Sequence, residues 1–464
     1  MAEKVIKNIL KAREDSIPLI LEQTEKDGVF SVAENHTPPS WLPNDTKDGI
    51  NISVLRVGIE PWLTSLFQSE HLSLLTGTGL SVAVQYMATK ATNNAMTEPV
   101  LDTEYADKIR AQTKNAAKKN SRGEPNIEDY IRVINELLQG LKILGHDSKD
   151  KKNAYNELVN NLDKIIKDFA GSISDIEYDV ATASEELRKE AFDYLVNFLM
   201  SFASRTGTRE RLNIFSTNYD RLIEAGAELA GLHLLDRFVG SLAPIFRSSR
   251  LDIDMHYNPP GIRGEPRYLE GVARFTKLHG SIDWINTGLD IRRIGLPFGS
   301  MDIANFLNAP GIANADVKKI MIYPNAAKDR ETTEYPYVEL FRDLAAALCR
   351  PNSTLVTYGY GFGDDHINRI IRDMLTIPST HLVIISYNDM DGRIIKKYEE
   401  FGRSSQITLI IGNGLADLKT LVDYFLPKPS IDRATIRMNE LLKQRYSSPQ
   451  NEIPKNDSTS EGTL

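Results

Sequence analysis

A single cysteine, Cys349, stands in 464 residues. This excludes an internal disulfide framework and any zinc cluster built from four cysteines of one chain, and it fits a reducing compartment. Long apolar runs are missing too. None reaches the length needed to span a bilayer, and the opening MAEKVIKNIL lacks the apolar stretch of a secretory leader. Positive charge is not in excess: the formal net charge is −8, so global attraction to nucleic acid is not indicated and only a local basic patch could provide it indirectly. No set of histidines and carboxylates shows a familiar metal spacing. These absences lead to the expectation of a soluble, cytoplasmic protein with no membrane partner and no metal. What is present is an ordinary globular composition, 41% hydrophobic and 25% charged. The length suits one large elaborated domain or two or three smaller ones.

Three textures follow one another along the chain. The first 58 residues read as an N-terminal extension, with a loop over HTPPSWLPNDTKDG. EPWLTSLFQSE reads as a helix with Pro61 in its first turn. From about 90 to 205 apolar residues recur at helical spacing, as in NIEDYIRVINELLQGLKIL capped by Asn126, and in TASEELRKEAFDYLVNFLMSF with Thr182 and Glu185 at capping-box spacing. This block reads as a large helical insertion. Its basic run KIRAQTKNAAKKNSR (108–122) reads as a solvated helix face or a loop, with contact to nucleic acid or an acidic partner as the alternative.

Afterwards short β-branched runs end in polar motifs: LNIFSTNYDRLIE, ARFTKLHGSIDW, KKIMIYPN, STLVTYGYGFGDDHINRIIRDML, HLVIISYND and QITLIIGNGLADL. Alternation with helical segments predicts an α/β fold, a Rossmann-like, doubly wound, mostly parallel sheet with helices on both faces. Ligands in such sheets sit beyond the carboxyl ends of the strands. Residues 429–464 read as a C-terminal helix and a disordered tail.

The polar motifs admit functional and structural readings. LSLLTGTGLS brings Gly77, Thr78, Gly79 and Ser81 to the start of a helix, a backbone able to approach an anion or merely to turn. It lacks the third glycine of the dinucleotide fingerprint and the lysine of a P-loop. In STNYD, Asn218 and Asp220 can be held by one turn, one side chain orienting a hydroxyl or water, or can simply form an Asx turn before the next helix. In KLHGSIDW, His279 follows a strand and precedes a glycine, as a proton acceptor or a surface residue. Asp364, Asp365 and His366 read as a helix start, and Cys349 as a packed helix residue.

TGTGLS, STNYD, KLHGSIDW and GYGFGDDHINRII, in that order, resemble the sirtuin family, in particular the sirtuin-like NAD-consuming effectors of bacterial anti-phage defence. The resemblance covers roughly residues 60 to 425. It implies a sirtuin-type NAD-binding domain over 59–428, interrupted by the helical insertion, with NAD+ as substrate. It places the pyrophosphate over Gly77, Thr78, Gly79 and Ser81 and the nicotinamide ribose against Thr217, Asn218 and Asp220. It makes His279 the base, with Asn218 and Asp220 as further catalytic residues. Gly359, Tyr360 and Gly361 meet the ribose and phosphate, with Gly361 where serine is usual. Asn413 and Gly414 lie at the adenine end. The zinc ribbon and the arginine-bearing segment of deacylating sirtuins are absent, so no zinc is expected and NAD+ hydrolysis stands ahead of deacylation. An NAD-dependent deacylase, an ADP-ribosyltransferase and a non-enzymatic ADP-ribose or NAD sensor remain alternatives. The resemblance also implies a homo-oligomer, and a HerA-like hexameric ATPase as partner.

Overall fold

Runs such as HLVIIS and ITLII are apolar at consecutive positions, which a strand tolerates only when both its faces are covered. The computed structural model describes residues 7–42, 49–93, 96–119, 124–145, 148–205, 209–252, 254–257, 267–308, 312, 320 and 335–428. By internal contacts Met1–Pro427 is one unit and Lys428–Leu464 a second. The expected strand KKIMIYPN, apart from Ile320, and the C-terminal tail from 429 lie outside the described residues.

The chain opens with β1 (Lys7–Lys11), β2 (Leu19–Gln23), β3 (Val29–Val32) and β4 (Ile50–Asn51), then α1 (Ile52–Phe67), β5 (His71–Thr76) and α2 (Thr78–Thr89). Four helices follow: α3 (Ala106–Lys119), α4 (Ile127–Leu144), α5 (Lys149–Thr182) and α6 (Glu185–Ala203). Next come β6 (Asn213–Ser216), α7 (Leu222–Leu229) and β7 (His233–Leu235). Short strands β8 (Phe238–Val239), β9 (Ile245–Phe246), β10 (His256–Tyr257) and β11 (Arg267–Tyr268) precede β12 (Val272–Lys277), β13 (Trp284–Asn286) and β14 (Ile291–Arg293). The chain continues through α8 (Tyr337–Leu348), β15 (Ser353–Tyr358), α9 (Asp365–Leu375), β16 (His381–Ser386), α10 (Arg393–Phe401) and β17 (Ile407–Ile411).

The main sheet runs β4-β3-β2-β1-β17-β16-β15-β5-β6-β12-β7. From β17 to β7 every pairing is parallel. The segment read as an N-terminal extension adds four antiparallel strands to the β17 edge. The two-residue period of a strand sorts its side chains between two cores. Leu72, Leu74, Val356, Val383, Ile385 and Ile410 pack under α1, α2, α6 and α7. Leu75, Leu355, Leu382, Ile384, Leu409 and Ile411 pack under α8, α9 and α10. Each such fully buried side chain contributes roughly 1.5–3 kcal/mol of transfer free energy. The helical insertion splits: α6 belongs to the first sheet-covering core, whereas α3, α4 and most of α5 form a third core with Tyr219, Ile282 and Ile285.

Local chemistry explains where helices start, and corrects three expectations. The Asn126–Asp129 capping box forms, with Asn126 Oδ1 accepting from the Asp129 amide at 3.1 Å and Asp129 Oδ2 from the Asn126 amide at 3.2 Å. The Thr182–Glu185 box does not: Thr182 ends α5, where its hydroxyl donates to the Tyr178 carbonyl at 2.8 Å, and α6 begins after Ser184. Helix α1 starts at its Asn51 cap, so Pro61 lies well inside it. The lost donor leaves the Val57 carbonyl on an exposed stretch, Val57 being 75% exposed, where water can serve it. Cys349, read as packed, is exposed at the end of α8. No helix among the described residues is long and apolar enough to cross a membrane.

The edge where α1 meets β16 and β17 carries a pH-sensitive chain. Trp62 Nε1 donates to Thr408 Oγ1 at 3.0 Å, and the Thr408 hydroxyl lies 2.8 Å from His381 Nε2, where it can donate its own proton to the ring. That arrangement requires a neutral ring. Burial, helped by the positive charge of Lys11, lowers the His381 pKa to about 4. The unfolded ring titrates near 6.5, so between these values the unfolded chain binds the extra proton. Stability is therefore complete above about pH 6.5 and falls as pH drops toward 4, by about 3 kcal/mol from this residue. Urea midpoints measured from pH 7 to 4.5 should show the loss, and His381→Gln should flatten it; an equal slope in the variant would assign the effect elsewhere.

Candidate functional site

Strand register lines up the polar motifs. Tyr358 pairs with Thr76, Thr76 with Ser216, and Ser216 with Lys277. One row thus crosses the carboxyl ends of β15, β5, β6 and β12, over about 15 Å at the usual strand spacing. Immediately beyond it come Gly359, Gly77, Thr217 and Leu278. The order proceeds from β5 to β6 and β12 on one side and from β15 to β16 and β17 on the other. The reversal between β5 and β15 is the position where open α/β sheets form a ligand crevice.

At that reversal the two glycine loops lock together. A Cβ on Gly77 would lie 2.7 Å from Tyr360 Cα, and one on Gly79 would lie 2.6 Å from Gly359 Cα. Gly359 sits at φ +61°, and a Cβ there would be 2.6 Å from Gly79 Cα. The Gly77 amide donates to the Tyr358 carbonyl at 3.0 Å and the Gly79 amide to the Gly359 carbonyl at 3.1 Å. These glycines therefore allow backbone to meet backbone, and their amides are engaged within the protein. Thr78, exposed at the first turn of α2, carries the remaining amide of the bend, for which no hydrogen bond is found among the described residues.

Behind the bend, Asn218 is held by both amide protons. Its Nδ2 donates to the Gly77 carbonyl at 2.9 Å and to Ser81 Oγ at 2.8 Å. Ser81 Oγ passes its own proton to Asp220 Oδ2 at 2.6 Å, and Asp220 Oδ1 accepts the Leu222 amide at 3.2 Å. Asp220 thus forms the Asx turn and fixes Ser81. Asn218 Oδ1 is left buried without a hydrogen-bond partner among the described residues. Thr217 donates its amide to the Thr76 carbonyl at 3.1 Å and stays partly exposed.

His279 enters from the neighbouring strand end, where Gly280 at φ +89° turns the chain beneath it. Its Nε2 lies 3.0 Å from Asp364 Oδ2. An ionised carboxylate only accepts, so Nε2 carries a proton, and whenever the ring holds just that one Nδ1 keeps its lone pair. Asp364 has two tasks: Oδ1 also accepts the His366 amide at 2.9 Å and caps α9. The cap is legible in sequence; the bond to His279, 85 residues away, is not.

Tyr360, Gly361, Asn413 and Gly414, the remaining site residues of the sequence reading, lie around the glycine bend and beyond β17. Tyr360 is buried, its hydroxyl reaching the Asp364 carbonyl at 3.3 Å and Asn368 Oδ1 at 3.4 Å. The Gly361 carbonyl accepts from Arg393 Nη1 at 3.3 Å. Asn413 and Gly414 follow β17, two strands beyond β15. The Gly414 amide donates to Asn8 Oδ1 at 2.9 Å, and a Cβ on Gly414 would lie 2.7 Å from the Phe30 ring, so β1 and β3 pack on this loop.

Sequence reasoning passed over the supports of the STNYD loop. Lys277, 2% exposed, reaches from below with Nζ 2.5 Å from the Asp220 carbonyl, 2.9 Å from Ser281 Oγ and 3.1 Å from Glu224 Oε1. Burial raises the Glu224 carboxyl above its ordinary range, against the opposing pull of Lys277. A lysine inside an apolar strand run, as in ARFTK, was the available signal.

No curated protein matches this chain. A family match does exist: it starts just before β6, takes in Asn218, His279 and Asp364, and leaves the β5–α2 glycine bend to be added by the sheet. Over residues 212–410 the chain matches the SIR2-like domain.

Proposed function

We propose that this protein hydrolyses NAD+ to nicotinamide and ADP-ribose, and that it serves as an anti-phage effector by depleting NAD. The observation that carries the chemistry is Asn218 Oδ1, buried and without a partner among the described residues, just past β6 and hydrogen-bonded through its Nδ2 to the glycine bend of β5. A buried acceptor without a donor costs about 1–3 kcal/mol, and a ribose hydroxyl or a water supplies the missing proton. The residues present fit a dinucleotide: the first turn of α2, with the exposed Thr78, suits a phosphate, and Asn218 suits the ribose. The SIR2-like match supports the same ligand.

Loss of nicotinamide from C1′ leaves positive charge on the ribose ring. Asn218 orients water, directly or through a ribose hydroxyl, so that its oxygen bonds to C1′ as nicotinamide departs with the electron pair of the broken bond; His279 Nδ1 takes the water proton, and Asp364 holds the Nε2 proton so that Nδ1 stays the acceptor. Asp220 and Ser81 keep Asn218 in place. Pairing with a HerA-like ATPase and self-assembly belong to the same reading and rest on the resemblance of the motifs.

The test is product analysis with purified chain and NAD+, alone and with an ATPase partner. Free ADP-ribose and nicotinamide without any acceptor protein are expected. Products that require an acylated or acceptor protein would turn the reading to a deacylase or ADP-ribosyltransferase; undiminished NAD+ bound to the protein would turn it to a sensor.

Asp364→Asn provides a sharper check. Asparagine caps a helix as well as aspartate, so α9 should keep its start, while the amide no longer enforces the Nε2–H form of His279. Turnover should fall by about a hundredfold or more, with unfolding midpoints near wild type; unchanged turnover would remove Asp364 from the mechanism.

A further inference from the structure

The loop from Thr217 to Arg221 faces two ways, residue by residue. Asn218 and Asp220 bond toward the glycine bend, whereas Tyr219 and Arg221 reach into the helical insertion. Tyr219 is 6% exposed and belongs to the core of α3, α4 and α5. Its hydroxyl donates to Glu128 Oε1, in the first turn of α4, at 2.8 Å. Its ring meets Phe169 of α5 edge-on at 5.6 Å and lies 6.3 Å from the His279 ring. Arg221 is bound more completely. Glu177 of α5 accepts from its backbone amide at 2.8 Å, from Nε at 3.1 Å and from Nη2 at 2.5 Å, and Nη2 also donates to the Pro297 carbonyl at 3.0 Å. The Glu177 side chain is 1% exposed.

A buried ion pair of this kind adds little net stability, because desolvation offsets the attraction. Its main effect is geometric: two carboxylate oxygens and three donors define one position of α5 relative to the loop. Asn218 lies between Thr217, tied to β5, and Tyr219, tied to α4, so a shift of the helices moves the Asn218 amide.

We propose that α4 and α5 are positioning elements for the site, acting through Glu128 on Tyr219 and through Glu177 on Arg221, and that displacement of the helices detunes Asn218 and His279 together. The kinetic half of this proposal rests on the NAD+ reading above; the structural half does not.

Two measurements on the full chain separate these halves. In hydrogen exchange, Glu177→Gln should speed exchange in a peptide covering residues 219–223 by about tenfold, since the Arg221 amide loses its charged acceptor, while β6 keeps its protection. In kinetics of nicotinamide release, Tyr219→Phe, which preserves both ring contacts, should lower kcat about tenfold with KM within about twofold, as expected for misplacement of a reacting group. Glu128→Ala should act alike, the double variant should be no worse than the poorer single, and Glu128→Gln, still an acceptor, should restore wild-type kcat. Unchanged exchange in Glu177→Gln overturns the structural half. Wild-type kcat in Tyr219→Phe, or no rescue by Glu128→Gln, overturns the kinetic half. If the wild-type chain releases no nicotinamide under any condition, the NAD+ reading fails and the exchange result alone decides the coupling.

Discussion

His279→Ala should reduce NAD+ turnover by about a hundredfold or more while leaving the protein folded, the usual scale for a positioned proton acceptor. Among the described residues the ring makes one hydrogen bond, to Asp364 Oδ2, and its side chain is only 14% exposed, so a modest loss of stability from the space it vacates should accompany the loss of turnover. Asp364 Oδ1 still caps α9. The loss should appear in kcat at saturating NAD+, read as initial nicotinamide release. A folded His279→Ala protein with wild-type kcat would show that the proton goes elsewhere. Asn218→Ala should cost a similar factor but is a less selective probe. Both Nδ2 bonds, to the Gly77 carbonyl and Ser81 Oγ, go with it, so stability should drop by about 1–3 kcal/mol as well.

The second large effect is structural. Gly359→Ala should destabilise the fold by roughly 2–5 kcal/mol, combining the strain of a non-glycine residue at positive φ with overpacking. The added methyl would press on Gly79 Cα at 2.6 Å and on the Leu80 amide nitrogen at 2.9 Å, and neither backbone atom can rotate away. Gly361→Ala is the matched control two residues on. There the new methyl would meet the end of the Met390 side chain at 3.3 Å, which can move aside, and the change should stay within about 0.5–1 kcal/mol. Urea unfolding of the pair decides the matter: equal midpoints would mean that the two glycine loops do not close on each other.

The contrast between these positions shows what sequence reasoning reaches. Gly77, Gly79 and Gly359 stand out as glycines at strand ends, but a chain read in one dimension cannot tell whether the space they leave faces a ligand or another loop. Here it faces another loop, and in the proposed reading the phosphate is left to the start of α2. Gly414 is a second instance, its open side filled by Asn8 and Phe30 from the first strands of the chain. The Asx turn at Asp220 and the cap at Asp364 were legible because both are bonds between residues two or three apart. Their second oxygens, one on Ser81 and one on His279, were not.

Local patterning by itself determined the strand and helix alternation, the two covered sheet faces, the helical character of the insertion and the placement of polar motifs at strand ends. All of these follow from periods of two and 3.6 residues and from side chains acting on nearby backbone. Only the tertiary structure decided that Asp364 belongs to His279, that Asn218 keeps an oxygen unpaired among the described residues, and that α4 and α5 grip the loop carrying it. Those outcomes depend on which strands become neighbours and in what register, and hydrogen bonds between groups scores of residues apart leave no periodic trace in a single chain.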